Sequence, residues 1–141
     1  MINFENKYFK KFEFSRNQVE RFLSSSLKDL KIAEASNVPE VKFQFAYNSL
    51  IKLGISLIAC SNYKVSSRMG HHRKILEKTS EILRNKDIFL YGNQMRKMRN
   101  TELYDSGAII TDKQAKEFFC FAQKVQKLSQ VFFKKYFRTL L

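Results

Sequence analysis

The sequence predicts an all-α fold, a compact up-and-down bundle of about five helices. Three observations carry that expectation. Fourteen Phe and six Tyr stand beside only four Gly and one Pro in 141 residues; large apolar side chains are plentiful, and the turn residues that a many-stranded sheet needs are scarce. Apolar residues recur at three- and four-residue steps through most of the chain, the period of an amphipathic helix. Two Ser/Thr-x-x-Gln sequences, at Ser15–Gln18 and Thr111–Gln114, have the form of capping boxes that start helices. A chain of this length is expected to fold as one domain with its own core, without disulfide or metal.

Residues 1–14 interleave Phe4, Tyr8, Phe9, Phe12 and Phe14 with Lys7, Lys10 and Lys11. That pattern fits neither period, and a docking arm, a short helix and a strand all remain open for it. The division expected is an N-terminal arm over 1–14 and one helical domain over 15–141. After the Ser15 box, Val19, Phe22, Leu23, Leu27, Leu30 and Ala33 trace the inward face of a first helix that ends near Ser36 and Asn37. Pro39 opens the second, where its missing N–H costs nothing. Phe43, Ala46, Tyr47, Leu50, Leu53, Gly54, Leu57 and Ile58 give that helix the clearest periodicity in the chain and make it the expected core element. Beyond a polar loop around 62–70, Ile75, Leu76, Thr79, Ile82 and Leu83 mark a third helix. Asn85-Lys86-Asp87 breaks it, with Asp87 the expected cap of a fourth helix bearing Ile88, Tyr91, Met95 and Met98. A turn is expected at Asp105-Ser106-Gly107. The Thr111 box then starts a long fifth helix with Ala115, Phe118, Phe119, Ala122, Val125, Leu128, Phe132 and Phe133 inward.

The formal net charge is +13, and it is not evenly spread. Residues 64–99 hold ten Lys/Arg against three Asp/Glu. A Lys-rich coding bias accounts for a high total better than for this clustering, which points to an anionic partner such as RNA, DNA or an acidic protein. Cys60 and Cys120 each fall within an apolar helical pattern and read as small core residues of a reduced cytoplasmic protein. No CxxC and no Cys/His cluster of zinc spacing occurs, so neither metal nor cofactor is expected. The N-terminus lacks the apolar run of a signal peptide, and no stretch is expected to reach bilayer-spanning length.

The segment from Met95 to Asp105 carries the most chemistry. Arg96, Lys97 and Arg99 supply three cations, Asn100 an amide and Tyr104 a phenol, threaded through apolar residues. Such a mixture suits a site that holds a phosphate beside a hydroxyl or amide. Tyr91 and Tyr104 would offer faces for exposed bases. His71 and His72 follow Gly70 at a loop–helix junction; a role in proton transfer would require that loop to fold over the Arg99 helix.

Two segments in this order resemble the HEPN superfamily (higher eukaryotes and prokaryotes nucleotide-binding). Phe45-Ala46-Tyr47-Asn48-Ser49-Leu50-Ile51-Lys52-Leu53, followed by Asn62-Tyr63-Lys64-Val65 and Gly70-His71-His72, is similar to the second helix and following loop of these domains. Arg96-Lys97-Met98-Arg99-Asn100-Thr101-Glu102-Leu103-Tyr104-Asp105 is similar to their signature helix. The resemblance covers roughly residues 15–135. It implies an all-α domain that pairs as a homodimer with two signature helices face to face. It also implies the toxin or effector half of a toxin–antitoxin or defence system, whose active members are metal-independent endoribonucleases. Their motif is Arg, then Asn or another polar residue, then His. Arg99 and Asn100 match; Tyr104 stands where His would fall.

That departure bears on the chemistry. Cleaving RNA through its own 2′-hydroxyl needs a cation for the phosphorane and a proton acceptor near neutrality. Arg99 supplies the first. A phenol with a pKa of about 10 is a poorer acceptor than an imidazole at about 6.5. The catalytic set expected is Arg99, Asn100 and Tyr104, with Arg96, Lys97, His71 and His72 on the RNA. The competing expectation is a non-catalytic module that docks an acidic partner such as a nucleotidyltransferase antitoxin. A DNA-binding regulator ranks last, because no helix-turn-helix cadence is evident.

Overall fold

The computed structural model describes the backbone of residues 1–104 and 110–139 and the side chains of 1–100 and 110–138. Five helices make up an all-α bundle: α1 (Arg16–Ala35), α2 (Pro39–Cys60), α3 (His71–Leu83), α4 (Lys86–Tyr104) and α5 (Asp112–Thr139). Two three-residue strands, β1 (Phe9–Lys11) and β2 (Tyr63–Val65), complete it. The turn expected at Asp105-Ser106-Gly107 lies outside the described residues.

Local hydrogen bonds explain the helix starts. Ser15 Oγ accepts from the Gln18 N–H at 3.2 Å while Gln18 Oε1 accepts from the Ser15 N–H at 2.8 Å. Thr111 and Gln114 repeat the exchange at 3.1 Å in each direction. At the start of α4 the cap is Asn85, not Asp87. Asn85 Oδ1 accepts from the Asp87 N–H at 3.0 Å, and Asp87 sits in the first turn, where its charge favours the helix dipole.

α2 touches each of the other four helices. All eight residues expected on its inward face are buried, so the bundle is built around it. The expectation that no stretch reaches bilayer length fails here. α2 has 22 residues, and its apolar window has a mean hydropathy of 1.2, with 67% of that window buried by the rest of the chain. An apolar helix packed on most of its sides needs no alternation of polar residues, which is why it passes a test of length and composition.

Elsewhere the interior is partly polar. Ser26 of α1 donates to the Ser49 carbonyl at 2.7 Å, and Gln126 Nε2 of α5 donates to Ser26 Oγ at 2.5 Å. The three residues are buried and satisfy one another. Placing Ser26 and Gln126 inside turns Leu27 and Leu128 outward, to 39% and 44% exposure, against the expectation for both. Cys120 is likewise exposed rather than core, and Tyr91 is exposed on α4. In α4 the core position next to Tyr91 goes to Gly92, where an added Cβ would lie 2.7 Å from Leu76 Cδ2.

Residues 1–14 fold onto the domain. β1 pairs antiparallel with β2 in the register Phe9↔Val65, Lys10↔Lys64 and Lys11↔Tyr63. Phe9 is buried, and Phe4 stacks on Tyr63 at 4.2 Å. Glu5 pairs with Lys74 at 2.8 Å and with Lys78 at 3.0 Å. Lys78 has only 2% of its side chain exposed and also lies 3.3 Å from both Glu77 and Glu81. Burial works against its charge, yet the hydrogen bond and charges of Glu5, Glu81 and Glu77 hold its pKa above the ordinary value.

Candidate functional site

The site grows from three elements that meet on the ring of Tyr47. α2 contributes Tyr47 itself, fully buried. The chain then leaves α2 through β2 and turns at Gly70, whose φ of +84° is the left-handed conformation that glycine adopts without strain. That turn starts α3 with His71 and His72 in its first turn and with no side-chain cap. Tyr47 Oη and His72 Nδ1 share a hydrogen bond of 2.9 Å. The His71 ring lies 4.5 Å from that of His72, and its own Nδ1 is 2.8 Å from the Arg68 carbonyl oxygen.

α4 supplies the cations. Its buried Met95 faces the core, which brings the half-buried Arg96 and Arg99, one helical turn apart, towards Tyr47. The Arg99 guanidinium lies over the Tyr47 ring at 5.5 Å, within cation–π range. Arg96 Nε donates to Asn93 Oδ1 at 2.8 Å. Arg99 Nε is buried and has no hydrogen-bond partner. Two other buried atoms without a hydrogen bond, Glu5 Oε2 and Asp29 Oδ2, each sit within 2.8 Å of a lysine. Among the described residues, Arg99 Nε alone lacks any counterpart of this kind. Leaving a buried donor unpaired costs about 1–3 kcal/mol, so packing alone does not favour this arrangement.

Burial, then the charges of His71, Arg99 and Arg96, push the His72 imidazole down to about 4. Burial pushes the Tyr47 phenol up to about 12 against the pull of Arg99 and Arg96. At neutral pH the cluster is therefore a neutral imidazole and a neutral phenol beside two fixed positive charges. It can accept an anion and still offer an uncharged ring nitrogen.

Of the residues expected in the site, Arg96, Arg99, His71 and His72 come together. Asn100 does not join them: α4 continues through this region, and the Asn100 side chain is exposed while Arg99 turns inward. Lys97 also lies on the exposed side of α4. The side chain of Tyr104 lies outside the described residues, as do those of Glu102 and Asp105. Tyr47 was expected on the inward face of α2; that its partner is His72, 25 residues away, has no local signature. The Asn93-x-x-Arg96 spacing, one helical turn, was a legible sign of a positioned Arg96. Among the described residues, no group of three or more His, Cys, Asp or Glu gathers closely enough to hold a metal.

The fold and site define the molecule as an all-α bundle with a cationic cluster on one neutral histidine–tyrosine pair. No family model matches the chain, and neither a curated protein nor a solved structure matches it.

Proposed function

We propose that this chain is an RNA-directed protein of HEPN type, the toxin or effector half of a toxin–antitoxin or defence system. It binds RNA at the Arg99 cluster and cleaves it without a metal ion. The observation that carries the reading is Arg99. Its Nε is buried and unpaired beside Tyr47, within the most basic stretch of the chain, and a phosphodiester would give that Nε an acceptor and the guanidinium an anion. Arg96 and the uncapped N-terminus of α3 add to the attraction for a phosphate. The Tyr104 phenol at the motif's His position limits what α4 alone contributes, so other residues of the cluster share the work.

A homodimer belongs to the same proposal. Its support is an apolar surface on the outer helices: Leu90, Tyr91, Leu128 and Val131 are 61%, 42%, 44% and 74% exposed. A groove of about 740 Å³ between α4 and α5 is lined by Tyr91, Phe118 and Phe121 together with Glu117, Lys124 and Lys127. The same exposed surface also favours a second reading, a non-catalytic module docking an acidic partner such as a nucleotidyltransferase antitoxin. Incubating purified protein with tRNA and mRNA separates the two. Cleavage by the wild type that Arg99→Ala abolishes supports the enzyme, and cleavage that survives Arg99→Ala dismisses the assigned site.

A further inference from the structure

Resting on the RNA reading above, we propose that His72 is the proton-transfer residue of this site, oriented by the buried phenol of Tyr47. It acts from α3 in place of the histidine that α4 lacks at Tyr104.

The geometry selects one ring nitrogen. Nδ1 is engaged by Tyr47 Oη at 2.9 Å, so Nε2 is the nitrogen left to meet a ligand on this half-buried ring. The titratable and charged groups that face it are Tyr47 from α2, His71 from α3, and Arg96 and Arg99 from α4. Among the described residues, no carboxylate acts on it. Burial first, and then the charges of His71, Arg99 and Arg96, hold the ring neutral in the free protein, with its pKa near 4, and a neutral imidazole is the form that can take a proton. A phosphodiester seated against Arg96 and Arg99 offsets their share of that depression, while burial, its largest cause, stays in place; basicity rises by that share once substrate binds.

The step balances within the RNA, the protein and water. In the tautomer that donates its Nδ1 proton to the phenol oxygen, the Nε2 lone pair is free. Nε2 takes the proton of a ribose 2′-hydroxyl, and that oxygen's electron pair forms a bond to phosphorus. The bond from phosphorus to the 5′-oxygen breaks, its electron pair staying on oxygen. The 5′-oxygen takes a proton from water, and the hydroxide left behind recovers the proton held on His72. The products are a 2′,3′-cyclic phosphate and a 5′-hydroxyl. No oxidant or reductant is needed.

The test compares wild type, His72→Gln and Tyr47→Phe on a single RNA oligonucleotide, with kcat and KM followed from acid to neutral pH and the product ends identified. His72→Gln is expected to lower kcat by about 10²- to 10⁴-fold with KM little changed. Tyr47→Phe removes one orienting hydrogen bond, roughly tenfold in kcat, and moves the acid limb of kcat/KM. In the wild type that limb lies near 4, and it lies higher in kcat, which reports the substrate-bound form. Because the buried Tyr47 variant is open to folding defects, ¹⁵N NMR of the wild-type imidazole gives an independent reading: His72 neutral at pH 6 with its proton on Nδ1. A charged ring at pH 6 overturns the inference. Cleavage lost in Arg99→Ala but within twofold of wild type in His72→Gln overturns it alone and leaves the RNA reading standing. Failure of the wild type to cleave any RNA overturns both.

Discussion

Replacing Gly54 with Ala sets helix propensity against packing at the contact that seats α3 on α2. In an open helix the change stabilises by about 1 kcal/mol. At this position the new Cβ would lie 2.4 Å from Thr79 Oγ1 and 2.5 Å from Ile75 Cγ2, closer than such atoms approach. Neither neighbour is the free end of a long side chain. Both are β-branched and stiff, and Thr79 Oγ1 is already committed to the Ile75 carbonyl at 2.7 Å. α3 must therefore move away, at an overpacking cost of about 1–3 kcal/mol. With a clash this deep on two sides the upper half of that range applies. The net expectation is a loss of about 1–2 kcal/mol, or a fall in Tm of roughly 3–8 °C for a chain of this size. Thermal and urea melts by circular dichroism measure it. Thr79→Ala in the same chain removes one of the two obstructing atoms, so the double variant is expected to be more stable than the sum of the singles. Displacing α3 also carries His72 away from Tyr47. A Gly54→Ala protein more stable than wild type by about 1 kcal/mol would refute the reasoning, since the helix contact would then be loose.

Two further outcomes follow from the interior. Lys74, through its close ion pair, and then Lys78 hold the Glu5 carboxyl below its ordinary 4.5 despite some burial. A carboxylate with a depressed folded pKa contributes fully above its unfolded value, and the contribution disappears as pH falls through the folded one. Glu5→Gln is therefore expected to cost about 1 kcal/mol at pH 7 and nothing at pH 2, as read from paired urea melts. An equal cost at both pH values would contradict the ion-pair account. Gln126→Ala leaves Ser26 short of one buried partner and opens a cavity among α1, α2 and α5. A loss of about 2–3 kcal/mol in urea unfolding is expected, and a loss under 0.5 kcal/mol would mean that water reaches the network.

What the sequence made legible was local. Ser15 with Gln18 and Thr111 with Gln114 satisfy each other within one turn, so spacing alone finds them. The face of α2 was legible because almost every residue along it is apolar and packed. Its burial on several sides lets it be apolar along a length that could cross a bilayer, which the expectation of no such stretch missed. What failed depended on partners far away in the chain. Leu27 and Leu128 were placed inside because apolar residues usually are, but Ser26, Ser49 and Gln126, up to 100 residues apart, fill that space and saturate one another. Lys78 is interior because Glu5 arrives from the N-terminus with its charge, and no pattern within α3 foretells that. Arg99 could be singled out from composition; its seat on Tyr47, and the approach of His72 from the next helix, could not.

The central claim is that Arg99 is held to meet a phosphate. The most direct measurement is the affinity for a fluorescent single-stranded RNA, titrated over a range of salt for the wild type and Arg99→Ala, with melting curves for both. The account predicts weaker binding to every RNA tested and a salt slope lower by about 0.7, the signature of one lost phosphate contact on a single strand, in a protein that still folds. Unchanged affinity and slope, alongside a lowered Tm, would show a guanidinium that serves only the core.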